Sequence, residues 1–214
     1  MTSTCHRSRL RAAFTLVEMI VVLAILVAVA GMVIPLVGNT LDTSQRQATQ
    51  ASMSVLQNTI KGNRSLPGYW GDLRQLPWTM ADLFVVPTDV SSGHLPATLQ
   101  TYDRNTGRGW RGPYIENTSG TYVVDTTNGF TNFTGTIGSG YGMAGDQAVM
   151  DAWNRPIVIQ FPTKDSLGNT LTSDQQKLYA RLVSAGTNHK LETQPSDISA
   201  TGDDIILYLR ATLP

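Results

Sequence analysis

The sequence predicts an α+β protein in which one long amino-terminal helix packs on a small antiparallel sheet with glycine-rich loops. Three observations lead to this prediction. Residues 19–37 form an apolar run without a single charge, residues 38–63 repeat apolar positions near helical spacing, and three β-rich runs near the carboxyl end are separated by turn residues. The 201 residues after position 13 suffice for one globular core.

The apolar run opens at Phe14, directly after three arginines, Arg7, Arg9 and Arg11. At about 1.5 Å per residue, a helix of this length approaches the roughly 30 Å hydrocarbon core of a bilayer. The positive-inside rule places the arginines in the cytoplasm and the chain after residue 37 on the other side. We therefore expect a single membrane-spanning helix with an exported domain.

Glu18 lies in the first turn of this run, where a carboxylate facing lipid costs free energy, about 2.5 to 3.5 kcal/mol at a helix centre and less toward the interface. Such a charge requires compensation. If Phe14 becomes the amino terminus, its ammonium and Glu18 of a neighbouring copy neutralise each other in staggered helices. Because removing one partner of a buried pair costs about 3 to 5 kcal/mol, this contact would fix the register of assembly.

Residues 13–18 (AFTLVE) and the apolar segment that follows resemble the amino-terminal signature of type IV pilins and type II secretion pseudopilins, over residues 7–37. The resemblance implies that a prepilin peptidase cuts between Ala13 and Phe14, that Phe14 is then N-methylated, and that Glu18 serves assembly. Pro35 matches the family's helix-kinking proline. The family usually has glycine where this chain has Ala13. A pilin-like fold is implied.

Two other interpretations of the apolar run remain open at this point. One is an ordinary signal anchor. The other is a secretory signal peptide cut after Ala30, because Ala28, Val29 and Ala30 form an A-x-A pattern behind an apolar segment. A signal peptide has no use for Glu18. Cleavage after Ala30 would also remove the apolar half of the long helix.

Beyond the apolar run, Leu41, Ala48, Val55, Leu56 and Ile60 recur near helical spacing, which predicts an apolar stripe that lies on the globular domain. We expect one helix from about residue 14 to residue 61, stopped at residues 62–63 (GN). The predicted organisation is a basic leader (1–13), a transmembrane and filament-core half-helix (14–37), an amphipathic half-helix (38–63) and a periplasmic globular domain (64–214).

Charge and cysteine content narrow the function. Without residues 1–13 the chain has 13 basic and 16 acidic residues, which gives no basic patch for nucleic acid. Cys5, the single cysteine, lies in the leader, so the mature chain has no disulfide. No H-E-x-x-H or G-x-S-x-G motif occurs, and His94 and His189 are the only histidines after the leader. We expect no enzyme.

In the middle of the chain, residues 79–84 predict a short capped helical turn and residues 121–124 (TYVV) predict a strand. Trp70 and Trp78 are interpreted as packing groups. Residues 109–114 (GWRGPY) and 151–156 (DAWNRP) look like elements of pseudopilin-like domains that brace the sheet against the helix.

Residues 140–145 (GYGMAG) formally fit G-x-G-x-x-G, with Asp165 twenty residues later. A dinucleotide site also needs a hydrophobic strand before the glycines and a βαβ unit around them. The preceding FTNFTGTIGS is no such strand, so we expect no cofactor there.

The last third predicts an antiparallel meander of residues 157–161, 178–183 and 205–209. Between the second and third strands, residues 184–204 resemble the calcium loop of the major type II secretion pseudopilin. Calcium takes six to eight hard oxygens, and the resemblance implies Ser184, Asp197, Asp203 and Asp204 as ligands. Residues 188–189 (NH) stand where the family often has Asp-Gly. A solvated acidic turn is the alternative.

Taken together, the resemblance implies a structural subunit of a type II secretion pseudopilus, polymerised through its helix to drive protein export. Its partners would be the prepilin peptidase, other pilins or pseudopilins and the inner-membrane secretion platform. It would reside in the bacterial inner membrane, single-pass, with its domain in the periplasm, and enter a periplasmic filament. A minor pilin of a type IV pilus, serving adhesion, DNA uptake or motility, is the alternative. Residues 109–114 and the carboxyl-terminal loop favour the secretion system.

Overall fold

The computed structural model describes residues 15–63, 66–87, 95–116 and 119–209, and for residues 32–39 the backbone alone. The chain divides into two units, Met1–Thr43 and Ser44–Pro214. The predicted domain boundaries at residues 13, 37 and 63 stay predictions.

Helix α1 runs over Leu16–Lys61, which confirms the predicted long helix and its end. The stop follows from local chemistry: Gly62 adopts φ 80°, a left-handed conformation that glycine takes without steric cost. The amide of Asn63 then donates to the Leu66 carbonyl at 2.6 Å. The side-chain oxygen of Asn63 in turn accepts from the Leu66 amide at 2.7 Å.

Two shorter helices follow, α2 at Gly68–Leu73 and α3 at Ser173–Leu178. Among the described residues lie five strands: β1 Gly120–Thr121, β2 Gln147–Ala148, β3 Val158–Gln160, β4 Arg181–Ser184 and β5 Ile205–Tyr208. A 3₁₀ turn at Met80–Leu83 is closed by a capping box between Thr79 and Asp82, as predicted for residues 79–84.

The main sheet is antiparallel in the order β3-β4-β5, so the predicted meander is confirmed. Val158 pairs with Val183, and Val183 pairs with Ile206. The second strand begins three residues later than predicted. Leu178 ends α3 instead, because Thr172 and Gln175 form a capping box that starts a helical turn there.

Packing of α1 on this sheet forms the main core, to which both elements contribute buried apolar side chains. Those residues are Met53, Leu56 and Ile60 from the helix and Ile157, Ile159, Leu182 and Leu209 from the sheet and its ends. Trp70 and Trp78 pack at the edge of this cluster, as predicted for packing groups.

The prediction of the helix stripe is partly wrong. Leu56 and Ile60 are buried, whereas Leu41 (59% exposed) and Val55 (64% exposed) are not, and Ala48 is exposed as well. The buried face adds two residues that the sequence pattern left out, Met53 and Thr49. The reason is that α1 carries two stripes with the same spacing, and the prediction combined residues of both. The buried stripe is Thr49, Met53, Leu56 and Ile60, and the exposed stripe is Ser44, Ala48, Ala51 and Val55.

The predicted strand at residues 121–124 is also mostly wrong, because β1 ends at Thr121. Tyr122 still exchanges backbone bonds with the facing segment, through Asp146 and Gly145. At that point the facing segment turns, since Gly145 has φ 90°. The ladder therefore cannot extend to Val123, which is exposed.

Candidate functional site

The first turn of α1 begins at Thr15, whose hydroxyl accepts a 3.2 Å bond from the Glu18 amide. The Thr15 carbonyl accepts from the Met19 amide at 3.3 Å. Thr15 therefore caps the helix, a role that the sequence reasoning missed although T-x-x-E is a capping pattern. Glu18 lies in the first turn, where the helix dipole favours a carboxylate.

No ion pair involves Glu18 within the part of the chain that the structure describes. Around it, large apolar side chains are exposed on every side of the helix, from Leu16 (76%) to Val27 (72%). Monomeric soluble proteins rarely expose a contiguous apolar surface of this extent. The first turns of α1 thus present an apolar surface with one uncompensated carboxylate.

Of the other residues predicted at this end, Ala13 and Phe14 lie outside the described residues. Pro35 lies within α1, in the stretch for which the structure describes the backbone alone. The helix kink at Pro35 therefore stays a prediction. Within the described ranges, no helix satisfies both the length and the apolarity that crossing a membrane requires.

At the other end of the chain, the residues predicted as calcium ligands are engaged in separate contacts. The Ser184 hydroxyl donates to Asp151 Oδ2 at 2.7 Å in a buried position. Asp197 Oδ2 accepts from the Gln194 amide at 2.8 Å and from the Thr201 hydroxyl at 3.2 Å. Two of the four predicted calcium ligands, Ser184 and Asp197, therefore form hydrogen bonds that stabilise the fold.

Asp203 and Asp204 each use one carboxylate oxygen and leave the other buried without a partner. Asp203 Oδ2 accepts from the Thr187 hydroxyl and from the Asn188 amide at 2.9 Å. Asp204 Oδ2 accepts from the Thr193 amide at 2.6 Å. The two remaining Oδ1 atoms are the kind of oxygen that a hard cation would satisfy.

The electrostatics of these two carboxyls differ. Burial raises the pKa of Asp204 above its ordinary value, and hydrogen bonds from Thr193 oppose that effect only in part. For Asp203, burial is outweighed by the hydrogen bonds from Thr187 and Asn188, which hold its pKa below the ordinary value. Asp203 is therefore the carboxylate that stays charged to lower pH.

The turn before these residues holds a histidine in the left-handed region. His189 adopts φ 63°, the conformation that glycine takes most readily, and Asn188 donates from Nδ2 to Glu192 at 3.0 Å. Among the described residues, no three histidine, cysteine, aspartate or glutamate side chains form a group suited to a metal ion. Calcium binding stays a prediction, and the three aspartates among its predicted ligands form no such group in the described ranges.

Residues 151–156 form the predicted brace between helix and sheet. The Ala152 amide donates to the Thr49 hydroxyl on α1 at 3.1 Å, while Asp151 accepts from Ser184 on β4. Asp151 Oδ1 also accepts from the amides of Trp153 and Arg155, both at 2.9 Å.

Residues 109–114 brace a different pair of elements than predicted. Arg111 forms a two-pronged ion pair with the buried Asp72 of α2, at 2.6 Å and 3.2 Å. Tyr114 donates to the same carboxylate at 3.0 Å. The Trp110 indole lies 3.5 Å from the carbonyl of Asp82. This segment therefore stabilises α2 and the 3₁₀ turn, because their carboxylate and carbonyl groups need donors.

Residues 140–145 are not arranged as the strand, turn and helix that a dinucleotide site requires. They lie in loops and isolated bridges between β1 and β2, which are antiparallel. Gly142 approaches the ring of Tyr122 so closely that an added Cβ would lie 2.9 Å from it. Close packing explains this glycine.

The comparison with known proteins identifies the amino-terminal segment. The family model of the prokaryotic N-terminal methylation motif matches residues 8–34. No curated protein and no solved structure matches the chain, so the resemblance of the carboxyl-terminal part to the major pseudopilin is not shown. The matched residues include Phe14, the capping Thr15 and Glu18, and the chain thus carries the signature of type IV pilins and pseudopilins.

Proposed function

We propose that this protein is a structural filament subunit, cut by a prepilin peptidase between Ala13 and Phe14 and N-methylated at Phe14. The observation that carries this proposal is the methylation motif at residues 8–34. The helix that continues from it exposes apolar side chains from Leu16 onward, and these need a lipid or protein environment.

Glu18 gives the proposal its mechanism. Cleavage creates a new ammonium at Phe14, four residues before Glu18 in the sequence. When helices of two copies pack with an axial stagger, the Glu18 carboxylate of one copy neutralises the ammonium of the next. Each charge is costly alone in an apolar layer, and the pair is much less so. Polymerisation in a single register follows.

Before assembly, residues 14–37 hold the subunit in the inner membrane and residues 64–214 lie in the periplasm. The arginines at positions 7, 9 and 11 support this orientation through the positive-inside rule. An inner-membrane platform then extracts the subunit into the filament.

We assign the filament to type II secretion, where it drives protein export. Residues 184–204, which resemble the loop of the major pseudopilin, support this assignment. The loop contacts the polymerising helix, since Arg46 donates to the Asp203 carbonyl at 3.3 Å. A minor pilin of a type IV pilus is the second candidate, because the amino-terminal motif supports a pilin and a pseudopilin equally. Deleting the gene separates them: loss of exported enzymes indicates secretion, whereas loss of twitching, adhesion or DNA uptake indicates a pilus.

We also propose that calcium binds at Asp203 and Asp204, with further oxygens from the same loop. The two buried oxygens without partners support this site. Calcium supplies positive charge that offsets the burial of two adjacent carboxylates, and the loop would then hold its shape more firmly.

Intact mass and amino-terminal sequencing test the main proposal on membrane-extracted protein, with and without a prepilin peptidase in the expressing cell. We expect a peptidase-dependent terminus at methylated Phe14. A terminus after Ala30 would instead identify a secreted protein, and an uncut leader in the presence of the peptidase would overturn the filament mechanism.

A further inference from the structure

Charge is unevenly distributed along the second unit of the chain. Residues 61–111 contain six basic and four acidic residues, whereas residues 112–214 contain six basic and ten acidic residues. Two of the four acids in the first part, Asp72 and Asp82, are buried. The exposed charges that the structure describes in residues 61–111 are therefore mostly positive, with Asp103 facing water beside Lys61, Arg74, Arg104, Arg108 and Arg111. A basic surface of this kind attracts an acidic partner.

The arginines among these cations lie on two segments that hydrogen bonds hold together. Arg74 is the residue that ends α2, two positions after Asp72. In the turn at residues 103–108, the Asp103 amide donates to the Arg108 carbonyl at 2.8 Å. The next residue, Gly109, donates to the Asp72 carbonyl at 3.1 Å, which holds this turn against α2. The exposed arginines of the two neighbouring segments form what we call the arginine surface: Arg74, Arg104, Arg108 and Arg111.

Arg111 is held in place by two contacts of its guanidinium. It donates from Nε and Nη2 to Asp72 at 3.2 Å and 2.6 Å, and it lies 4.8 Å from the ring centre of Tyr102. Its side chain nevertheless stays 43% exposed. Because a guanidinium offers five N–H donors, Arg111 can bind a second carboxylate without moving. Asp72 neutralises its charge, so the long-range attraction comes from the other three arginines.

Beside Arg111 lies a groove at the carboxyl end of α1. It has a volume of about 490 Å³, and Val55, Leu66, Pro67 and Pro113 contribute its apolar walls. Leu66 is 68% exposed there. Pockets that bind ligands have volumes of about 300 to 1,000 Å³ and mostly apolar linings. The groove is therefore large enough for one large apolar side chain and the peptide backbone that carries it.

A close crossing of two backbone segments lies next to these walls. Gly62 and Gly68 both line the groove, with φ of 80° and 63°. An added Cβ on Gly68 would collide with the backbone of Gly62, and one on Gly62 would collide with the backbone of Pro67. This end of the groove is thus built from backbone and exists before a ligand arrives. A preformed site lowers the cost of ordering on binding.

The aromatic rings beside the arginine surface already have partners. Arg111 covers a face of Tyr102, and Trp110 packs edge to face with Tyr114 at 5.9 Å between ring centres. Single-stranded nucleic acid binds by stacking its bases on free aromatic faces. Carboxylates need only the guanidinium groups. Together with the apolar groove, this arrangement favours an acidic peptide over a nucleic acid.

We propose that the arginine surface and the groove together bind an acidic peptide segment of a partner protein. One large apolar side chain of the peptide fills the groove, and the carboxylates next to it bind the arginines. The apolar side chain contributes affinity through burial, and the guanidinium groups select carboxylates by their paired donors. The site lies within the second unit, so this inference goes beyond the filament function and holds whether or not the subunit polymerises.

Fluorescence anisotropy tests the proposal on the full chain in dodecyl maltoside. The probe is a fluorescein-labelled peptide of one phenylalanine followed by four glutamates. We expect saturable binding at about 50 mM salt that weakens about tenfold or more at roughly 0.5 M salt, because salt screens exposed charges. A probe with glutamines in place of the glutamates, and another with alanine in place of the phenylalanine, should each bind about tenfold more weakly. Equal binding of either altered probe would overturn the proposal.

Charge reversal distinguishes this site from general attraction. Arg104→Glu with Arg108→Glu should weaken binding of the acidic probe about tenfold or more. Lys164→Glu with Lys190→Glu changes the net charge equally at exposed positions outside the arginine surface and should have less than about a twofold effect. An equal loss in the two pairs would overturn the proposal.

A second matched pair tests the groove. Leu66→Gln should weaken binding of the phenylalanine probe about tenfold, whereas Leu167→Gln, at a position that is 84% exposed outside the groove, should leave it unchanged. Binding that is insensitive to Leu66→Gln would overturn the proposal.

Two other occupants of the surface are outcomes of the same experiments. A fluorescein-labelled single-stranded oligonucleotide that binds more tightly than the acidic peptide at equal salt would assign the arginine surface to nucleic acid. Failure of the peptide to bind, with loss of oligomers in the Arg104→Glu and Arg108→Glu chain, would assign it to a second copy. Either result would overturn the proposal, and neither bears on cleavage at Phe14.

Discussion

Ser184 and Asp151 lie 33 positions apart in sequence and meet in a buried 2.7 Å hydrogen bond from hydroxyl to carboxylate. The same carboxylate accepts from the amides of Trp153 and Arg155. One residue later, the Ala152 amide donates to Thr49 on α1. Asp151 therefore lies at the point where helix, loop and β4 are joined.

The first prediction concerns this carboxylate. Asp151→Ala should lower the free energy of unfolding by about 2 to 4 kcal/mol, because it leaves two amides and a hydroxyl without acceptors. Ser184→Ala removes one bond and should cost roughly 1 to 3 kcal/mol. Thermal and urea unfolding of the detergent-purified chain measures both. Equal stability of Asp151→Ala and the native chain would show that the brace is dispensable.

The second prediction concerns Arg181, which is fully buried without an ion pair in the described part of the chain. Its guanidinium donates instead to Gln160 Oε1 at 2.8 Å and to the Gln194 carbonyl at 3.0 Å. Gln160→Leu leaves the buried cation without its main acceptor and should cost about 3 to 5 kcal/mol. Gln50→Leu on the exposed helix surface should stay within about 0.5 kcal/mol. The same unfolding experiments distinguish the two.

The third prediction concerns pH. Burial raises the pKa of Asp204 above its ordinary 3.8, so the folded state binds this proton more tightly than the unfolded state. Its contribution to stability is present at low pH and is lost as pH rises through the folded pKa. Relative to the native chain, Asp204→Asn should therefore gain stability as pH rises from below 3.8 to neutrality. A stability difference that stays constant over this range would contradict the assignment.

The fourth prediction concerns calcium. If the ion binds the folded state, millimolar calcium should raise the melting temperature, by an amount that grows with the logarithm of its concentration. Magnesium should have less effect, because it dehydrates reluctantly and demands a stricter geometry. Asp203→Asn should abolish the calcium response, while Asp174→Asn on the exposed surface of α3 should keep it. An unchanged melting temperature in native protein would leave the acidic turn as a hydrogen-bonded loop.

The fifth prediction concerns Glu18. Glu18→Ala should be processed at Phe14 and remain in the membrane, yet assemble poorly, since the new ammonium loses its partner. The loss of about 3 to 5 kcal/mol corresponds to roughly a hundredfold or greater drop in association. Disulfide cross-linking of copies that carry Ile20→Cys and Val27→Cys in a Cys5→Ser background measures it, with Glu116→Gln as the control carboxylate. Normal assembly of Glu18→Ala would remove the charge-pair mechanism.

The amino-terminal segment was readable from sequence because its chemistry is local. Three arginines, an apolar run and one carboxylate define it without tertiary contacts, and the motif match at residues 8–34 confirms the resemblance to type IV pilins and pseudopilins. The long helix and the meander followed from periodicity in the same way.

Other features depend on the folded chain. Apolar spacing shows that α1 has stripes, but the buried stripe and the exposed stripe have the same spacing, so the sequence could not reveal which one meets the sheet. Arg181 stands in a β-rich run, and its burial depends on two acceptors that the fold brings to it, Gln160 on the neighbouring strand β3 and the Gln194 carbonyl. The predicted calcium ligands share a loop, yet Ser184 turns inward because Asp151 lies there as an acceptor.

The two stripes of α1 have a consequence for rotation of the helix about its own axis. The exposed stripe has the same spacing as the buried one, so a turn of about 140° would exchange the two sets of positions. Two polar side chains of α1 oppose such a turn: the buried Thr49 accepts from the Ala152 amide, and Gln57 donates to the Tyr208 carbonyl. These two bonds fix the rotation of α1 about its axis, and so they determine which of its side chains meet the sheet.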